Sequence, residues 1–200
     1  MLNLINEIPV PVLERMHQLE QQDAKERADG VAQIKRLRQI PPETGVFLAQ
    51  LALSAPEGTA IEIGTSGAYS SMWIGLAMAR RGGKLVTFEL LPEKVELARQ
   101  TLKKAGMEDH VELVHGDARG HLKDYDEISF CFLDAEKEMY GEFYELVAPK
   151  LVPGGLLVAD NVISHAEDLE DFIEMARQDV SMDAAILPVG KGLLVTSNRY

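Results

Sequence analysis

With a single cysteine, Cys131, the 200-residue chain can form neither an internal disulfide nor a multi-cysteine zinc site, and it fits a reducing compartment. No apolar run reaches the roughly 18 residues of a membrane-spanning helix, so no membrane segment is expected. The first twenty residues carry Glu7 and Glu14 but neither a basic n-region nor an apolar h-region, which argues against a secretory signal and for a cytoplasmic protein. Positive charge is scarce: 20 Lys and Arg face 32 Asp and Glu, a net charge of -12. Such a field repels nucleic acid, so RNA would need a local basic patch. The sequence also lacks internal repeats, low-complexity tracts and Gly/Ser linkers. What is present is ordinary for a globular chain, 46% hydrophobic and 26% charged, which excludes disorder, collagen and coiled coil. At about 150 residues per domain, one domain with a short appendage is expected.

Pro41-Pro42 divides the chain into an N-terminal helical leader, residues 1–40, and a main body, 41–200. Residues 10–38 read as one helix, with Leu13, Met16 and Leu19 on a shared face. A second helix follows Pro42 and stops at Pro56-Glu57-Gly58. Apolar or β-branched runs then recur at 59–63, 84–89, 110–115, 128–133, 155–159 and 193–197, the lengths of buried strands. Helical periodicity occupies 70–81, 92–105, 117–124, 137–150 and 166–180. Strands separated by helices predict right-handed βαβ units, that is, an α/β fold with a Rossmann-like parallel sheet covered on both faces. Ala184–Val189, Gly190-Lys191-Gly192 and Leu193–Ser197 read as a closing antiparallel β-hairpin.

Open α/β sheets bind ligands at the carboxyl ends of their strands. The first strand leads into Gly64-Thr65-Ser66-Gly67, a tight turn that opens a helix near Ser70. Glu62, Glu89, Asp117, Asp134 and Asp160 all fall at or just after strand ends. Helix capping explains one or two such carboxylates, but a cluster requires a ligand that offers donors or a cation. The turn does not match the Gly-x-Gly-x-x-Gly dinucleotide fingerprint, which disfavours an oxidoreductase, and no P-loop is present. The five histidines show no metal-ligand spacing, although His165 follows Asp160-Asn161 closely enough to reach a cleft. Tyr140 and Tyr144 read as packing or interface residues, Met72 and Trp73 as core, and 166–183 as a solvated acidic face.

Taken in order, Glu62-Ile-Gly-Thr-Ser-Gly-Ala-Tyr-Ser70, Glu89, Gly116-Asp117-Ala118, Asp134-Ala-Glu-Lys137, Gly154-Gly155 and Asp160-Asn161 resemble the class I S-adenosylmethionine-dependent O-methyltransferases. The likeness is to the cation-dependent catechol and caffeoyl-CoA branch, and it runs from about Gln39 to the C-terminus. It implies that Ile40, Glu62, Gly64, Thr65, Ser66 and Ser70 lie at the cofactor's methionine end, and that Glu89 holds the ribose hydroxyls. Asp117 and Ala118 would flank the adenine. Asp134, Asp160 and Asn161 would hold Mg²⁺ or another divalent cation, with Asp134 also beside the cofactor. Lys137 would be the general base, which requires a lowered pKa.

The implied partners are a small hydroxylated acceptor and a second copy of the chain in a homodimer, with no membrane. Past Asn161 the chain runs Val162-Ile163-Ser164-His165 straight into an acidic helix, without the aromatic and longer substrate loop of the catechol branch. A flavonoid or caffeoyl-CoA acceptor is therefore not expected. Bacterial relatives methylate hydroxyuridine in transfer RNA, and Lys35, Arg36 and Arg38 form a small basic cluster just ahead of Ile40, near the expected cleft mouth, which would steer RNA or an acidic small molecule, although the net charge opposes RNA. A non-catalytic S-adenosylmethionine-binding protein is the competing class.

Overall fold

In the computed structural model, which describes residues 8–32 and 35–200, the alternating pattern becomes seven strands and seven α-helices. The strands are β1 (Thr59–Ile63), β2 (Leu85–Glu89), β3 (Val111–His115), β4 (Ile128–Leu133), β5 (Leu151–Ala159), β6 (Met182–Leu187) and β7 (Leu193–Asn198). They form one sheet in the order β3-β2-β1-β4-β5-β7-β6. The pairs β3–β2, β2–β1, β1–β4 and β4–β5 are parallel, while β7 runs antiparallel to β5 and β6. The expected parallel sheet with a closing hairpin is therefore the observed fold. Strand order reverses between β1 and β4, which opens a crevice at their carboxyl ends.

Side chains alternate across the sheet with a period of two. In β4, Phe130 and Phe132 join one core, with residues of α1 (Val10–Ala28), α2 (Pro42–Ser54), α3 (Tyr69–Arg80) and α4 (Pro92–Ala105). Cys131 and Leu133 join the other, with α6 (Tyr140–Val147) and α7 (Glu170–Gln178). Between β3 and β4 lies the one-turn α5 (Ala118–His121), continued by a 3-10 turn. Met72, Trp73, Tyr140 and Tyr144 are all buried, as their spacing predicts. The leader packs onto the sheet's helices: Val12, Met16 and Leu19 enter the first core, and Arg15 donates to Thr101 of α4.

The last helix starts at Glu170 rather than at residue 166 and β6 at Met182 rather than Ala184, and three further boundaries differ from the periodicity. The leader helix ends at Ala28, ten residues early, because Gly30 takes a left-handed conformation and its amide bonds back to Arg27. Residues 33 and 34 of the expected helix lie outside the described residues. β5 starts at Leu151 rather than Gly155, with the pairing shifted between Ile128 and Phe130, so Gly154-Gly155 sits inside a bulged strand. The segment 137–150 begins and ends in 3-10 turns, leaving α6 only its middle eight residues.

One buried carboxylate ties these layers together below the crevice. Glu62 of β1 is fully buried; its Oε2 accepts from Ser71 on α3 and, at 2.6 Å, from Thr87 on β2. With the Thr87 proton committed to Glu62, Thr65 is the donor in the 2.5 Å Thr65–Thr87 contact. Burial pushes the Glu62 carboxyl up to about 7, against the opposing bonds from Ser70, Ser71 and Thr87. The folded chain thus keeps this proton to about pH 7 while the unfolded chain releases it near 4.5, so the associated stability is lost as pH rises through that window. Glu62→Gln does not titrate. Its melting temperature relative to the unsubstituted protein should therefore rise between pH 5 and pH 8, by the equivalent of about 3 kcal/mol. Calorimetric melts at the two pH values check this, and a pH-independent gap would contradict it.

Candidate active site

The crevice at the strand ends holds a cavity of about 660 Å³, within the usual range for small-molecule sites. Gly64, Thr65, Ser66, Ser70, Glu89, Asp117, Ala118 and Asp134 all line it. Its wall after β1 depends on Gly64, whose φ of 102° suits glycine alone and where a Cβ would collide with the Asp134 carbonyl. That close approach lets the ends of β1 and β4 meet, with the Asp134 amide donating to Ile63 at 3.0 Å. Ser66 and Ala68 are also left-handed, so the turn doubles back and α3 begins at Tyr69 with no side-chain cap on its first amides. Uncapped amides at a helix start favour an anionic group.

Glu89 closes β2 and is held by two backbone amides, Ser66 to one oxygen at 2.8 Å and Leu91 to the other at 2.9 Å. Each oxygen keeps a lone pair for a further donor, as a ribose diol requires. Asp117 does cap a helix: it accepts from the Arg119 amide and grips the Arg119 guanidinium, whose bonds hold the carboxyl below its ordinary range. Ala118 is buried beside it. Two expected cofactor residues are not among the cavity-lining ones. Ile40 is packed in the first core at 2% exposure, and Glu62 acts through Thr87 and Thr65 instead of reaching the cavity.

At the β4–β5 edge, Asp134 gathers the remaining predicted residues. Asn161 Nδ2 donates to Asp134 Oδ1 at 2.9 Å, and Lys137 Nζ lies 3.4 Å from the same oxygen. Asn161 has φ 70°, a conformation asparagine tolerates, and this turns its amide toward Asp134. The neighbouring Asp160 carboxylate is fully buried, and neither oxygen has a hydrogen-bond partner. Burial first, then the Asp134 charge, pushes its carboxyl well above the ordinary carboxylate range, while the adjacent Asn161 backbone amide, Lys191 and Lys137 pull the other way. Among the described residues no three His, Cys, Asp or Glu side chains form a metal cluster; the donors here are two carboxylates and an amide. An orphaned, dry carboxylate beside a second carboxylate fits a divalent cation.

Lys137 is itself largely buried. Burial lowers its pKa, the nearby Asp134 and Asp160 charges oppose this, and the Arg38 charge adds to the lowering. Its ammonium donates to the Tyr140 hydroxyl at 2.6 Å, and that hydroxyl donates to the Asp160 carbonyl at 3.2 Å. Tyr140 is thus packed, as its spacing predicts, and also wired to the site. The cue was its position three residues past Lys137, on the same helical face. The second feature is the basic cluster ahead of Ile40, which the fold brings to the cavity as expected, with two of its members lining it. Arg36, Leu37, Arg38 and Gln39 wall the cavity, fixed by Ser66 Oγ donating to the Leu37 carbonyl at 2.6 Å and Lys94 donating to the Arg36 carbonyl at 2.5 Å. His165 instead contacts Ser164 at 2.9 Å and is not among the cavity-lining residues.

Known proteins resemble the chain in sequence and in fold. The chain is 29% identical over 165 residues to a catechol O-methyltransferase of Niastella koreensis, covering 74% of each chain. An O-methyltransferase from Bacillus cereus in complex with S-adenosylhomocysteine shares the fold, with a TM-score of 0.78 at 24% identity over 93% of this chain and 91% of that one. The O-methyltransferase TomG from Streptomyces achromogenes, in complex with S-adenosylmethionine, superposes with a TM-score of 0.76 at 25% identity, over 91% and 89% of the two chains. The sequence profile of the O-methyltransferase family matches residues 13–197, leader included, and the chain therefore belongs to the O-methyltransferase family.

Proposed function

We propose that the protein transfers a methyl group from S-adenosylmethionine to a hydroxyl oxygen of a small acceptor with vicinal hydroxyls, assisted by a divalent cation such as Mg²⁺. The carrying observation is the buried Asp160 carboxylate without a donor, next to Asp134 and Asn161. In this reading Glu89 holds the ribose diol, the Gly64–Ser66 turn and the α3 amides meet the methionine end, and Asp117 and Ala118 border the adenine. Asp134, Asp160 and Asn161 would hold the cation, which supplies Lewis-acid polarisation of an acceptor hydroxyl when bound. A catechol-like hydroxyl has a pKa of about 10, so few acceptors are ionised at neutral pH without such help.

Lys137 takes the acceptor proton in this scheme. Burial shifts the Lys137 pKa downward, the direction a general base requires, and Tyr140 and the Ala135 carbonyl fix where its Nζ points. Phe88, Met139 and Phe143 give the cavity an apolar wall that excludes water and holds donor and acceptor close. A small acceptor is preferred to transfer RNA because Arg36 and Arg38 line this cavity, in a chain whose net charge is -12.

Asp160→Ala should lower kcat/KM on the order of 10³-fold while leaving S-adenosylhomocysteine affinity nearly unchanged, since Asp160 does not line the cavity. EDTA should produce the same loss in the unsubstituted enzyme, and full activity in EDTA would refute the cation-assisted reading. Lys137→Met should cut kcat roughly 10²–10⁴-fold and remove the rise of rate with pH that deprotonation of a general base produces. An unchanged pH–rate profile in that variant would assign the base elsewhere.

A further inference from the structure

We infer that Arg38 is a specificity-determining residue that selects an acceptor bearing a carboxylate beside its reacting hydroxyls. This rests on the methyl-transfer reading of the same cavity. Four cations line that cavity in a chain of net charge -12: Arg36, Arg38, Lys94 and Arg119. Three are engaged in holding the protein's own structure. Lys94 donates to the carbonyls of Lys35 and Arg36, Arg36 donates through Nε to the Val31 carbonyl, and Arg119 is gripped by Asp117 and Glu142. Arg38 differs. Its Nη1 lies 2.6 Å from Glu136 Oε1, and the Glu136 side chain is 64% exposed.

An ion pair with so exposed a partner contributes little and is readily exchanged. The guanidinium fork suits a planar carboxylate, and the side chain it now holds is one. Its position is fixed by the backbone: Arg38 is left-handed at φ 55°, directly after Leu37, whose amide donates to Glu26 at 2.7 Å and whose carbonyl accepts from Ser66. The charge of Arg38 also acts on both Lys137 and Tyr140, which places it on the acceptor side of the cavity. An anionic acceptor entering beside Asp134 meets a carboxylate, so a cation at that rim decides whether it binds. In this account Glu136 is the resident counter-ion that the acceptor's carboxylate displaces.

Titration calorimetry of 3,4-dihydroxybenzoate and the neutral 3,4-dihydroxybenzamide, with S-adenosylhomocysteine and Mg²⁺ present, tests this. The unsubstituted protein should bind the benzoate roughly tenfold more tightly than the benzamide. Arg38→Gln should bring that ratio to about one, Arg38→Lys should keep part of it, and Glu136→Gln should widen it by removing the competing anion. No preference in the unsubstituted protein, a preference surviving Arg38→Gln, or no binding of either compound would overturn the inference. So would an equal loss of S-adenosylhomocysteine affinity in Arg38→Gln, which would assign the guanidinium to the cofactor's own carboxylate. Methyl transfer is scored separately: preference without turnover counts against the proposed reaction alone, and turnover without preference against this inference alone.

Discussion

A carboxylate sealed from water must be protonated or must face positive charge, and Asp160 is held in that condition by the fold. It follows the last residue of β5, its amide bonds to the Leu133 carbonyl, and its side chain is buried with no donor. Lys137 and Lys191 reach it only through their fields. The rest of the site is arranged around this unmet charge. Asn161 turns left-handed to bond Asp134, Tyr140 links the Asp160 carbonyl to Lys137, and the Gly190–Gly192 turn accepts the amides of Val162, Ile163 and Ser164.

The remaining carboxylates of the strand ends show different resolutions of the same electrostatic problem. Glu89 is satisfied by two backbone amides and left able to accept more, whereas Asp117 is neutralised by Arg119. Glu62 is withdrawn into the interior, where hydroxyls from α3 and β2 share it and burial favours its protonated form. Only at Asp134 and Asp160 do two carboxylates lie together with less than full compensation inside the protein. A cation there would relieve the repulsion, and for that reason we propose the chemistry at that edge and the cofactor's ribose at the Glu89 edge.

The α/β order, the seven strands and the closing hairpin could be read from the sequence, because buried strands and amphipathic helices leave periods of about 2 and 3.6 that survive without tertiary context. The convergence of Gly64, Ser66, Glu89, Asp117 and Asp134 on one cavity follows from the same reading, since each sits at a strand's carboxyl end. What escaped depends on contacts between distant segments. The leader helix stops at Gly30 so that residues 36–39 can cross the cavity, a path set by Ser66 and Lys94, which lie 29 and 58 residues beyond their partners. Ile40 and Glu62 sit at the right places in the chain yet point into the core, since side-chain direction is decided by packing. The double role of Tyr140, in the core and at the Lys137 ammonium, has no counterpart in hydrophobic periodicity.

The most direct test is anomalous X-ray scattering from crystals grown with S-adenosylhomocysteine and Mn²⁺, a hard, oxygen-preferring stand-in for Mg²⁺. The account predicts one dominant peak within about 2.5 Å of oxygens from Asp134, Asp160 and Asn161, with the amide of Asn161 rotated to offer its oxygen. A structure in which Asp160 instead closes a salt bridge with Lys137, with no manganese peak beside it, would contradict the account.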